Sequence, residues 1–500
     1  MNDDRRPIFV GAAQFIQRDV EPAEALSPLA MLAQSARDAA EDAAAGARLL
    51  EQADTVGVVD IIAWRGANPS RAWAEAIGAK PKRELLTAVG GEIPLRMVNH
   101  VARRIAAGEA RIAVLGGTNN IHTLRRAAKA RVKLHWDVAA GGEPERIDVT
   151  RPGSSRAEAS YGLRMPIDIY PIFENALRAR RGLDIETHRK RVGALMSRFS
   201  KVAASNPYAW YPIERSADEI TIPSESNRMV AFPYTKYMNA VLDTDQAASV
   251  IMTSVAAARE LGIPEDRWVH WWGGAHSQEK DWYPSERPDF GQCQALREAV
   301  MGALEEAAIG LDDVSFIDFY SCFPVAVEMA CEMLGLDEDD PRGFTVTGGL
   351  PYAGGPGNNY TLHSLATLLE RLRSKPGSKG LVTGNGWYLT KHSATVVSTE
   401  PRPGNSWPSE TDTKSASVPD HTRSTDAASG RATLETYTVV FDRDGAPERG
   451  IVLGRTEKGR RFLANTPQDR ELLESFVRED PHGRAGRVSE QDGINIFDPA

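Results

Sequence analysis

The chain has 500 residues, of which 42% are hydrophobic and 25% charged, and a formal net charge of −9 at pH 7. That composition belongs to globular chains with room for two or three cores, and its acidity gives no electrostatic footing for a nucleic-acid role. No apolar run approaches the ~20 residues that span a bilayer, and the start of the chain lacks an apolar signal region. Cys293, Cys322 and Cys331 cannot make a disulfide framework and have no metal-ligand spacing, so a reducing compartment, the cytoplasm, is expected.

In chain order, residues 8–14 and 56–64 read as strands on either side of an alanine-rich helical pattern at 28–46. Continuous apolar runs separated by helices indicate strands buried on both faces, as in a mostly parallel sheet. A short helix near 72–77, a strand at 84–93, a helix at 95–107 closed by Gly108 and a strand at 111–117 continue the rhythm. From about 119 to 242 the apolar runs thin out and charge rises, which predicts a helical insertion or cap. Basic runs at Arg125, Arg126, Lys129, Arg131 and Lys133, and at Arg178, Arg180 and Arg181, read as solvated helix faces or as a site for a phosphorylated small molecule.

The sheet resumes at 248–253, and residues 268–275 open a second series. It runs through a helix at 294–308, a strand at 314–319, a helix at 325–334, a helix at 361–372, and strands at 380–385 and 393–399. Helix, glycine, buried strand recurs in both series, which predicts a duplicated α/β half. The expected division is a first half at 1–265, including the insertion, and a second half at 266–400. Residues 401–430 have linker composition, and 431–500, with period-two alternation from Ala432 and a turn at Asp442 to Gly445, predict a small antiparallel β-barrel.

The most distinctive stretch is 344–360. Glycines 348, 349, 354, 355 and 357 and prolines 351 and 356 surround Tyr352, Asn358, Asn359 and Tyr360. Glycine permits positive φ and close approach of backbone to a ligand, whereas a plain turn between strand and helix is the alternative reading.

Element order, duplication and these motifs resemble the thiolase superfamily, in particular its sterol-carrier-type branch, over roughly residues 7–400. The resemblance implies a duplicated five-layered αβαβα fold, with a C-terminal barrel similar to the OB-like domains of thiolase-like proteins. It also implies a nucleophilic cysteine, an activating histidine and a second cysteine. Those positions here hold Gly91, Gly355 and Val382, and the family's Asn-Glu-Ala-Phe stretch aligns with Tyr320, Ser321, Cys322 and Phe323. A working thiolase is therefore not expected.

Proton transfer is assigned to His392, Cys322 and Tyr352, and substrate contacts to Gly91, Tyr320, Ser321, Gly354, Gly355, Asn358, Asn359 and Asn385. For Cys322, His392 and His363 taken singly, a satisfied core residue is the competing reading. The resemblance implies an acyl-CoA-binding protein of lipid metabolism that makes or breaks a carbon–carbon bond without a covalent intermediate, or a catalytically silent acyl-CoA-binding or scaffold relative. Coenzyme A enters only as part of the substrate, no separate cofactor, metal, membrane or nucleic acid is expected, and a homodimer is left open.

Overall fold

The computed structural model describes residues 5–64, 66–136, 141–403 and 427–500. Most of the expected linker lies outside these residues. Ten strands make one sheet, and its pairing pattern repeats. Strand Pro7–Ile16 pairs antiparallel with Asp245–Ser254, which pairs antiparallel with Ile112–Asn120, which in turn runs parallel to Thr55–Val58. In the second half, Val269–Gln278 pairs antiparallel with Lys391–Ser398, which pairs antiparallel with Lys379–Gly386, which runs parallel to Phe316–Asp318. The halves meet where Ile8 and Phe9 pair with His270 and Val269.

Helices Ile93–Ala107 and Tyr360–Ser374 form the middle layer and pack against strands of both halves. Their burial explains their sequences: Leu95, Met97, Val98, Val101 and Ile105 of the first, and Leu362, Leu365, Leu368 and Leu369 of the second, join one core with strands from each half. A helix covered on several sides needs apolar residues beyond a single stripe. Helices Pro28–Asp42 and Pro69–Ala76 cover the first half, and Gln294–Ala307 and Pro324–Leu334 cover the second. The result is the five-layered αβαβα arrangement.

The helix read at 95–107 begins two residues earlier, with Pro94 in its first turn, and the strand read at 84–93 ends at Thr87. That shortening creates a turn, 88–92, at the head of the first central helix. The insertion is not wholly helical. Its strand Glu145–Ile147 extends the main sheet beside Arg83–Thr87, and its hairpin Met229–Ala231 and Tyr234–Thr235 joins the C-terminal sheet at Ala231 opposite Val440.

The C-terminal barrel closes through Gly430–Phe441, Pro447–Thr456, Arg461–Asn465, Ile494–Pro499 and Ala485–Gln491. It also carries a helix, Arg470–Arg478, which the sequence reading lacked. Buried polar contacts fasten the barrel to the rest. Asn175 Nδ2 donates to the Phe232 and Tyr437 carbonyls at 3.1 and 3.0 Å, and the fully buried Arg461 pairs with Glu435 at 2.6 Å and donates to the Ser285 carbonyl at 3.3 Å. The basic runs are largely consumed by ion pairs: Arg125 with Asp243, Arg126 with Glu21, Arg178 with Asp480, Arg180 with Asp289 and Arg181 with Glu328. Among the described residues, no helix is long and apolar enough to cross a membrane.

Candidate functional site

The site lies where the turn 88–92 meets the C-terminal ends of the second-half strands. Gly91 has no room for a side chain, because a Cβ built on it falls onto the Tyr320 hydroxyl and within 2.6 Å of the Asn385 carbonyl oxygen. Tyr320 is held in place by its backbone N–H on Thr383 Oγ1 at 3.0 Å and by edge contact with the Tyr360 ring at 5.4 Å between centroids. Asn358 ties the glycine loop to the same turn, accepting from Gly90 N at 3.1 Å and donating to the Asp60 carbonyl at 2.9 Å.

Next to Gly91 lies a buried charge cluster that the sequence reading missed. Glu92 and Lys391 are almost wholly buried and pair at 2.7 Å; the Lys391 ammonium also lies 3.2 Å from Asp148, which pairs with Arg96 at 3.0 Å. Space for the Glu92 carboxylate exists only because Gly90, Gly384 and Gly386 lack side chains: Cβ atoms on Gly90 and Gly386 would strike Oε2, and one on Gly384 would come within 2.6 Å of the Glu92 Cα. Burial drives the Glu92 carboxyl above its ordinary range despite the attraction of Lys391. Burial also opposes charge on Asp148 and Lys391, yet here the partners win: Asp148 is held low by Lys391 and Arg96, and Lys391 is held high by Glu92 and Asp148. The signal in the sequence was a glutamate directly after two glycines and before a helix start.

The glycine loop is anchored at its base by Asp318. This buried carboxylate accepts from Val346 N at 2.8 Å, Thr345 Oγ1 at 3.1 Å and Ser364 Oγ at 2.7 Å, joining strand end, loop and second central helix. Gly354 has φ +108, and a Cβ there would strike Gln246; Gly355 donates its N–H to the Val241 carbonyl at 2.8 Å. Asn359 reaches the first half, donating to the Gly117 carbonyl at 2.8 Å, and His363 pairs with Gln14 at 2.9 Å. Ser321 is fully buried beneath Gly349.

No hydrogen bond among the described residues joins Cys322, Tyr352 and His392 to one another, so the expected proton-transfer cluster is not assembled. Strand alternation turns Lys391 toward Glu92 and His392 to the other face, where its Nε2 lies 3.2 Å from Cys293 Sγ. Burial lowers the His392 pKa to about 3. Cys322 lies beside Asn385, whose Nδ2 is 3.9 Å from the sulfur and 2.9 Å from the Tyr170 hydroxyl. Burial pushes the Cys322 thiol up to about 12, which leaves it protonated and a poor nucleophile at neutral pH. Tyr352 is 2% exposed, its hydroxyl lacks a partner, and its carbonyl accepts from Tyr211 N of the insertion at 2.8 Å.

Residues 415–493 match the family described as the thiolase-like protein type 1 additional C-terminal domain. Over its whole length the chain is 34% identical to the monomeric SCP2-thiolase-like protein type 1 from Mycobacterium smegmatis, with 100% of both chains covered and a TM-score of 0.85. The chain belongs to the SCP2-thiolase-like protein type 1 family. The Ltp2-ChsH2(DUF35) aldolase, at 16% identity and a TM-score of 0.59 over 79% of this chain and 98% of that one, shares the fold alone. A comparison with curated proteins returned no match. In this SCP2-thiolase-like chain, the Tyr320 hydroxyl of one half fills the space that a side chain at Gly91 of the other half would need.

Proposed function

We propose that this SCP2-thiolase-like protein binds an acyl-CoA without forming an acyl-enzyme and acts as a non-catalytic relative of the thiolases. The observation that carries the reading is the Tyr320 hydroxyl in the space that a side chain at Gly91 would need. Support for a ligand comes from two buried polar atoms near the loop and the adjoining strand end, the Tyr352 hydroxyl and Asn385 Oδ1, which have no partner within the protein. Each unpaired buried group costs about 1–3 kcal/mol, a penalty that a thioester or amide of the ligand would relieve. Three free, buried cysteines suit a cytoplasmic setting.

The test is calorimetric titration with acetyl-CoA and longer acyl-CoAs, run beside a thiolysis assay on acetoacetyl-CoA. Saturable binding with no turnover supports the reading. Absence of binding removes the acyl-CoA half of it, and turnover removes the non-catalytic half.

A second reading is favoured by one feature, an acid–base pair at the nucleophile's place. Burial first, then the neighbouring Cys322 and Glu92, hold the Tyr320 phenol well above its ordinary range, and burial raises the Glu92 carboxyl beside it. Carbon–carbon cleavage of an acyl-CoA through proton transfer by Tyr320 needs no thiol. Retro-aldol turnover abolished in Tyr320→Phe would establish it over the silent reading.

A further inference from the structure

Away from the nucleophile turn, helices Pro166–Arg180 and Ile185–Ala204 of the insertion bury three titratable side chains together: Glu174, His188 and Glu328. His188 Nε2 lies 2.5 Å from Glu174 Oε1, the Tyr234 hydroxyl donates to Glu174 Oε2 at 2.5 Å, and Arg181 pairs with Glu328 Oε1 at 2.8 Å. Burial raises the carboxyls of both Glu174 and Glu328, and the Tyr234 hydroxyl on Oε2 marks Glu174 as an acceptor in this cluster. An accepting oxygen at Nε2 fixes the imidazole proton on that nitrogen, so Nδ1 presents a bare lone pair. Nδ1 is buried and has no partner, and the His188 side chain is only 2% exposed.

The same His188 lines a cavity of about 240 Å³ whose other walls are chiefly apolar, among them Ile185, Val192, Phe232, Met238 and Val477. Val477 comes from helix Arg470–Arg478 of the C-terminal barrel, so the cavity lies at the seam between insertion and barrel. That seam is held by Arg178 and Asp480, an ion pair at 2.5 Å in which the arginine is 2% exposed. An apolar cavity of ~150 Å³ accommodates a benzene-sized guest, so this one suits about ten heavy atoms.

We propose that this seam cavity is a binding site for a small apolar compound bearing one hydroxyl, a phenol or short-chain alcohol, whose O–H donates to His188 Nδ1. The site is separate from the Gly91 turn and does not depend on the acyl-CoA reading. A metal ion at Glu174, His188 and Glu328 is the competing occupant. Its access is opposed by the Tyr234 hydroxyl and the Arg181 guanidinium, which already take carboxylate oxygens.

The experiment titrates the full-length protein with 1-naphthol and with naphthalene, following fluorescence, and measures bound divalent metal by elemental analysis. Expected are one saturable site for 1-naphthol, binding about tenfold weaker for naphthalene, and loss of that difference in His188→Leu. Ile185→Trp, at the partly exposed rim, should abolish binding while the melting temperature stays near that of the parent, which keeps the test open if His188→Leu fails to fold. Equal affinity for the two probes, unchanged binding in Ile185→Trp, no binding of 1-naphthol up to its solubility, or stoichiometric metal lost in His188→Leu would each overturn the proposal.

Discussion

The Tyr320 hydroxyl stands on the spot where a Cβ at Gly91 would project. Tyr320 comes from the second half and Gly91 from the first, so the site is closed across the duplication. Restoring a cysteine alone should therefore fail. Gly91→Cys is expected to destabilise the fold by about 1–3 kcal/mol through overpacking, with part of the loss recovered in Gly91→Cys/Tyr320→Ala. Denaturant melts of the two single variants and the double variant measure the coupling; additive losses would show that the two positions do not share this space.

The Glu92 and Lys391 pair makes a sharper stability test, since both side chains are nearly inaccessible and lie 2.7 Å apart. Lys391→Met strands a buried carboxylate and should cost about 3–5 kcal/mol, whereas Glu92→Met/Lys391→Met should recover most of that. A single variant as stable as the parent would mean that the pair is open to water in solution.

Acid should weaken the fold through its buried histidines. His363 and His392 have pKa values lowered by burial from 6.5 to about 3. In the unfolded chain each takes up a proton near pH 6.5, while in the folded chain each does so only near pH 3. Stability is therefore lost as pH falls through that window, by about 1.4 kcal/mol per unit for each histidine. Buried carboxyls such as Glu92 and Asp318, whose pKa values are raised, work in the opposite direction. Melting temperature against pH for the parent and for His392→Gln isolates the histidine: the variant should show a shallower acid slope, and an unchanged slope would contradict the assignment.

The barrel is expected to support the insertion rather than hang from it. Asn175 donates to the Tyr437 carbonyl and Arg461 to the Ser285 carbonyl across that seam, so a chain ending at residue 403 takes one buried acceptor from Asn175 and the Arg461 donor from the Ser285 carbonyl. It should melt well below the full chain, and an equal melting temperature would refute the coupling.

The layered fold was legible because each half repeats the same run of apolar strands and helices, and 34% identity over the full length to a solved structure agrees with it. That position 91 carries no thiol was legible in the sequence. What fills the space there was not, since contact between Tyr320 and Gly91 depends on how the two halves face each other. His392 was chosen for its chemistry beside Lys391, but period-two alternation sends the two side chains to opposite faces, and the lysine is the one that meets the turn. Glu92 was passed over because it was read within a strand, whereas the strand ends at Thr87. The docking of the barrel was hidden too, because it rests on buried contacts between residues far apart in sequence, such as Asn175 with Tyr437 and Arg461 with Ser285, and the sheet shared with it pairs Ala231 with Val440 alone.

The most direct test of the central claim is the intact mass of the protein after incubation with acetoacetyl-CoA and acetyl-CoA at neutral pH. With Gly91 unable to carry an acyl group and Cys293, Cys322 and Cys331 all buried as free thiols, the mass should remain that of the unmodified chain. A stable acyl adduct mapped to any of these cysteines would contradict it.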